Sequence, residues 1–264
     1  MHGNAGFLFG SIFDSVPFGP RMSEDVTINE IWNGLLEAIR LITMASPELA
    51  EIVRLTLRVS GTALLFSTAI GIPLGAYLGL RRFRGRGLVM ALLYTGMGFP
   101  PVVIGLFVYL MLSRNGPLGG LDVAWVPPLF TPAAMTMAQT IISFPLVSGF
   151  TMAAVMGVDP RLRQQMLALG ATKLQTAWTV LVEARVGVMV SIIAGFGSII
   201  SEVGAVMLVG GNIEHHTRVL TTAIVLETRK GVFDLAMALG IVLLSLSFLA
   251  NLLMLSLQGR TSLR

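Results

Sequence analysis

Cysteine is absent from the 264 residues, which excludes disulfides, thiolate metal sites and cysteine nucleophiles. Charge is scarce too: Asp, Glu, Lys and Arg fill 12% of the positions, where a soluble globular protein carries about 25%. Hydrophobic residues fill 54%, so a folded state needs lipid against much of its apolar surface. An ordinary cytosolic enzyme is thereby excluded. Lysine occurs only at Lys173 and Lys230, and neither follows a glycine, so the chain has no Walker A phosphate loop. It has no Ser-His-Asp set and no paired carboxylates within an apolar run, so no catalytic residue is assigned. The net charge of +4 does not point to nucleic acid, because the basic residues are scattered beside apolar runs and share no single face.

What the chain does have is five long apolar runs, at about 55–80, 87–113, 132–157, 186–211 and 234–257. Each reaches the roughly 20 residues that a helix needs to cross a bilayer. Apolarity without alternation predicts helices, not the strands of a transmembrane barrel. The expected fold is an all-α integral membrane protein: five transmembrane helices in one domain over 50–258, preceded by an amphipathic helix. That helix is placed at 28–46, where Ile31, Leu35, Ala38, Ile39 and Ile42 recur at helical spacing opposite Glu30, Asn33, Glu37 and Arg40. Residues 1–27 lack a signal-peptide pattern and read as a disordered lead, with Met22 as an alternative start. Ten of the 18 basic residues follow the first, third and fifth runs, four of them packed between Arg81 and Arg86. This density sets the N-terminus outside and the C-terminus inside.

Prolines interrupt three runs, at Pro73, at Pro100 and Pro101, and at Pro145, and glycines accompany them. Small residues let helices approach closely. As a group, the breakers of the second and fourth runs also predict kinked helices that border a path with two arrangements. Candidate path or gate residues are Thr95, Pro100, Pro101, Ser143, Ser198, Ser201, Glu202 and Gly204, although Ser and Thr in such helices commonly bond their own backbone carbonyls. Glu202 is the one ionisable side chain deep within a run, which marks it as functional by default. His215 and His216 are adjacent, with no cysteine or suitably spaced carboxylate, so they read as a solvated loop and no metal site is assigned.

Residues 158–185 are too polar for lipid and too long for a turn. Leu162, Met166 and Leu169 recur at helical spacing, Gly170 gives a stop, and a second helix follows from Lys173. This shape suits docking to another protein or lying on the inner leaflet. The string RLRQQMLALGATKLQTAWTVLVEARVGV, residues 161–188, resembles the cytoplasmic EAA loop of permease subunits of binding-protein-dependent ABC importers. Anchored on Gly170, Gln164, Gln165 and Met166 fall at Glu-Ala-Ala, while Val180, Val182 and Glu183 fall at Ile, Leu and Pro. The glycine spacing survives; the acidic residue and the proline do not. The segment from Gly98 to Gly105 and the segment from Ser201 to Ile213 resemble those of molybdate, sulfate and tungstate permeases, with Val203, Gly210 and Gly211 closest to the tungstate branch.

The resemblance implies a type I ABC importer permease fold, similar to that of methionine and molybdate permeases, in a prokaryotic cytoplasmic (inner) membrane. It implies import of an oxyanion, with tungstate ahead of molybdate or sulfate. It further implies a homodimer on two ATPase subunits that bind ATP and Mg, fed by a periplasmic or lipid-tethered oxyanion-binding protein. No cofactor is assigned to this chain, and no partner beyond these and membrane lipid. Leu162, Gln164, Met166, Leu169, Gly170 and Ala171 would form the ATPase-coupling loop. A dianion passing about 5 Å from an ionised Glu202, at an effective dielectric of about 20, would meet about 6 to 7 kcal/mol of repulsion. Glu202 is therefore expected to be paired with an arginine, protonated, or bonded to backbone amides. The reading from a different class is an ion-coupled secondary carrier, which would ordinarily need more intramembrane acids or bases than one glutamate.

Overall fold

The computed structural model describes residues 47–121 and 126–262, together with 33, 35–37, 39 and 40, and side chains as far as Ser256. The lead expected at 1–27 and most of the amphipathic helix expected at 28–46 lie outside the described residues. Ten helices follow among the described residues from position 47: α1 Pro47–Leu80, α2 Arg86–Met97, α3 Pro101–Leu112, α4 Pro132–Met156, α5 Pro160–Ala168, α6 Lys173–Glu183, α7 Arg185–Ile200, α8 Gly204–Gly210, α9 Leu220–Lys230 and α10 Phe233–Ser262. Three of them, α1, α4 and α10, are long and apolar enough to span a membrane alone; counting the bent pairs α2–α3 and α6–α7 as one span each raises the number to five.

The boundaries follow local chemistry. Pro47 opens α1 and Glu48 supports its positive end. At the other end, the carbonyl of Leu78 accepts from Arg86 Nε and that of Leu80 from Arg163 Nη1, each at 2.8 Å, so two arginines satisfy carbonyls that the helix cannot. Thr131 caps α4, accepting from the Ala134 N–H at 3.3 Å, with Pro132 in the first turn. Pro73 and Pro145 lie inside continuous helices, so the runs expected at 55–80 and 132–157 are each covered by one helix. The Pro145 ring packs against Gly96 of α2, while Pro73 lies on the exposed face of α1. Pro101 behaves otherwise, as the first residue of α3, because Gly98 and Pro100 precede it in non-helical backbone.

The α1–α4 pair is the most extensive contact in the fold. A stripe of small residues, Ser60, Ala63, Ser67, Gly71 and Gly75, is buried along α1. A Cβ on Gly75 would lie 2.4 Å from the Ser148 carbonyl oxygen, so the two backbones touch there. Higher on the same seam, the Ser67 and Ser143 hydroxyls bond each other. Half of the most apolar stretch of α4 is buried, against 17% of that of α10. Helix α4 is thus the centre of the bundle and α10 its exposed edge.

Candidate functional site

Three regions position the chemistry. The first is the hairpin α5–Gly170–α6. Asp159 caps α5, accepting from the Arg161 N–H at 2.9 Å, and Pro160 fills the first turn. The helix ends through Gly170 at φ +82°, a left-handed conformation that disfavours a side chain, with the Ala171 N–H donating to Met166 O at 3.0 Å. Thr172 and Gln175 then form a reciprocal capping box that starts α6. One face of α6 is tied to the bundle, since Val180 is buried with Ala76 of α1 and Val155 of α4. The opposite surface is bare, and no residue of α5 is buried. Leu169 is 83% exposed, Leu174 81% and Trp178 69%. Of the residues expected to form the coupling loop, Gln164, Leu169 and Gly170 are exposed, while Leu162, Met166 and Ala171 are half-buried. Leu174 and Trp178 were absent from that set; their signal was one large apolar pair, four residues apart, in a polar connection.

In the second region the bend of the α2–α3 span meets the break between α7 and α8. The axes of α2 and α3 differ by 104° across Gly98–Pro100. Between α7 and α8 the chain leaves the helix at Ser201–Val203. These breaks face each other: a Cβ on Gly204 would lie 2.3 Å from Val102 Cγ2, and one on Gly105 would lie 2.4 Å from Ala205 Cα. Pro100, Pro101, Ser201, Glu202 and Gly204 therefore cluster, with Pro100 and Ser201 exposed. Three side chains hold the second break. Gln139 Nε2 of α4 donates to Ile199 O at 3.0 Å, the Glu202 carboxylate accepts from the Ala205 N–H at 2.9 Å, and Thr221 Oγ1 of α9 donates to Glu202 O at 3.0 Å. Of the three fates expected for Glu202, bonding to a backbone amide is the one observed.

The remaining hydroxyls sit differently. Thr95 and Ser201 donate back to Ala91 O and Gly197 O, at 2.8 and 2.9 Å. Ser143 is fully buried in the α1–α4 seam and also donates to Gln139 O. Ser198 is half-buried on α7. Gln139 and Thr221 were missed in the sequence, although a lone amide within the charge-free run at 132–157 was a signal.

The third region, at the end opposite the hairpin, joins the α8–α9 loop to α1. His215 Nδ1 lies 2.8 Å from Glu51 Oε2. Its pKa is raised above 6.5, first by that hydrogen bond and then by the Glu51 charge; desolvation opposes them less strongly, and the Glu214 and Glu48 charges add least. Among the described residues no group of three or more His, Asp or Glu is placed to hold a metal.

Residues 71–263 match the family model described as binding-protein-dependent transport system inner membrane component. A "Probable anion ABC transporter permease protein" of Haloferax volcanii is 42% identical over 218 residues, covering 81% of this chain and 92% of that protein. A tungstate uptake system permease protein of Peptoclostridium acidaminophilum is 39% identical over 228 residues, covering 86% and 98%. Among solved structures, a chain of a bacterial alginate ABC transporter complexed with an alginate-bound periplasmic protein superposes with TM-score 0.68 at 20% identity, over 94% of this chain and 91% of that one. At that identity the likeness speaks for the fold, a type I importer permease bundle. The chain belongs to the family of binding-protein-dependent transport system inner membrane components, and is a multi-pass transport subunit.

Proposed function

We propose that this chain is the permease subunit of an ATP-driven importer that carries an oxyanion, tungstate, into the cell. The observation that carries the reading is the hairpin around Gly170, whose Leu169, Leu174 and Trp178 stand clear of the bundle. Burying such side chains against a partner is worth about 1.5 to 3 kcal/mol each. We assign that partner as an ATPase subunit, which supplies the ATP and Mg site for which this chain has no Walker A loop. Two permease copies on two ATPases complete the membrane assembly, N-terminus out and C-terminus in, and a periplasmic or lipid-tethered binding protein delivers the anion.

The covalent path of coupling is short. Ala184 alone separates α6 from α7, so movement of the hairpin when the ATPases close turns α7 and displaces the break at Ser201–Val203. That break lies against the one at Gly98–Pro100, and both change together. Thr95, Pro100, Ser198 and Ser201 border the resulting path. The Glu202 carboxylate, held on the Ala205 N–H, is turned toward the start of α8 and away from passing anions. A tight site within the path would slow release, so substrate choice rests chiefly with the binding protein. The tungstate assignment draws on the 39% identical tungstate relative and on the Ser201 to Ile213 segment.

Coexpression with candidate ATPase and binding-protein subunits tests the reading. A copurifying ATPase whose hydrolysis rises when tungstate-loaded binding protein is added is the expected result. Stimulation confined to molybdate- or sulfate-loaded protein would reassign the anion. Uptake driven by an ion gradient in vesicles without ATP would place the chain among secondary carriers instead.

A further inference from the structure

Two cavities lie side by side at the α5–α6 end, and apart from Leu174 and Trp178 none of the residues lining them enters the proposed transport cycle. The first, of about 540 Å³, is walled by Arg81, Arg82, Arg86 and Arg163 with a single carboxylate, Asp159. The second, of about 610 Å³, runs between α1 and α6 and is lined mainly by apolar groups, among them Ile72, Pro73, Tyr77, Leu174 and Trp178. Leu80, Arg81 and Arg163 border both. We propose that the pair is a binding site for an anionic phospholipid, with the headgroup phosphate among the arginines and an acyl chain along the α1–α6 groove.

Two of the four arginines are held in place before any ligand arrives. Arg86 and Arg163 each give one N–H to a terminal carbonyl of α1 at 2.8 Å, and Arg86 Nη2 also reaches Met156 Sδ at 3.3 Å. A guanidinium has five donors, so this pinning leaves several that could bond a phosphate while sparing the entropy of ordering the side chain. Asp159 would oppose an anion, but its Oδ1 is committed to the Arg161 N–H at the start of α5, where the helix dipole favours it. Tyr77 and Trp178 are both exposed beside the groove, as aromatic rings are at headgroup depth.

Charge and shape together select the occupant. A soluble anion would pair the arginines and leave the groove wet, whereas a neutral lipid would fill the groove and leave the arginines facing no charge. An acidic lipid does both, and basic pockets between spans bind such headgroups. Because α5 and α6 supply walls, the lipid braces the hairpin against α1.

Full-length permease purified in detergent and titrated with phosphatidylglycerol or phosphatidylcholine, read by native mass spectrometry, tests this without reference to transport. The unaltered chain should retain the acidic lipid more than about tenfold more strongly, since each arginine near an acidic headgroup is worth about fivefold. The preference should fall by about tenfold or more in Arg81→Gln/Arg82→Gln and survive undiminished in Arg84→Gln, an exposed arginine outside both cavities. Equal retention of the two lipids by the unaltered chain would overturn the proposal. So would an equal loss in Arg84→Gln, which would reduce the effect to net charge, or displacement of phosphatidylglycerol by inorganic phosphate, which would identify a soluble-anion site.

Discussion

At the scale of single residues, the decisive side chain is Glu202, whose carboxylate caps α8 through the Ala205 N–H. Glu202→Gln keeps an acceptor oxygen in place, so folding and uptake should stay close to wild type. Glu202→Ala removes the acceptor and should cost about 1 kcal/mol in thermal unfolding and slow uptake. Faster uptake by the glutamine variant would mean that the charge is a barrier and the cap incidental. His215 makes a second residue-scale case. Its pKa is raised by Glu51, so the stability it contributes is complete below 6.5 and is lost as pH rises through the folded-state value. An imidazole NMR titration should place His215 above 6.5 and return it toward 6.5 in Glu51→Gln; identical titrations in the two proteins would dissolve the link between the loop and α1.

At the scale of elements, close packing and one left-handed turn set the expectations. Gly75→Val puts branched carbon where the Ser148 carbonyl already sits, and should lower stability by about 1 to 3 kcal/mol, seen as a reduced Tm of the purified permease. Gly170→Val meets open space, so its cost is conformational, about 1 to 2 kcal/mol for a left-handed residue. Its effect should be loss of ATPase copurification with little loss of the membrane bundle, and normal copurification would remove the hairpin from the docking role. The elements were legible in the sequence to different depths. Spans one, three and five follow from uninterrupted apolar runs, and the break of span two from Pro100 and Pro101, because proline acts through local geometry. The break at Ser201–Val203 has no proline. It depends on Gln139 and Thr221, which reach it from α4 and α9, so a tertiary contact decides what local propensity left open. Tertiary packing also meets Pro145, whose ring lies against Gly96 of α2 while its helix continues.

For the molecule as a whole, α1 and α4 form a fixed post, and the breaks at Gly98–Pro100 and Ser201–Val203 are arranged around it. Spin-label distances across that post should therefore be unchanged between nucleotide states, while a pair spanning Pro100 and Ser201 should change. The absence of cysteine suits this measurement, because each introduced label is the only thiol. The post also imposes an order on synthesis. The last residue of α4 is made 76 residues after the last of α1. At about 5 to 20 residues per second, the polar and small stripe of α1 waits some 4 to 15 s for its partner. Throughout that interval Ser60, Ser67 and the glycines between them and Leu80 face either lipid or the insertion machinery. Nascent chains arrested before Pro132 should thus remain crosslinked to the insertion channel through α1, and chains extended past Met156 should be released from it.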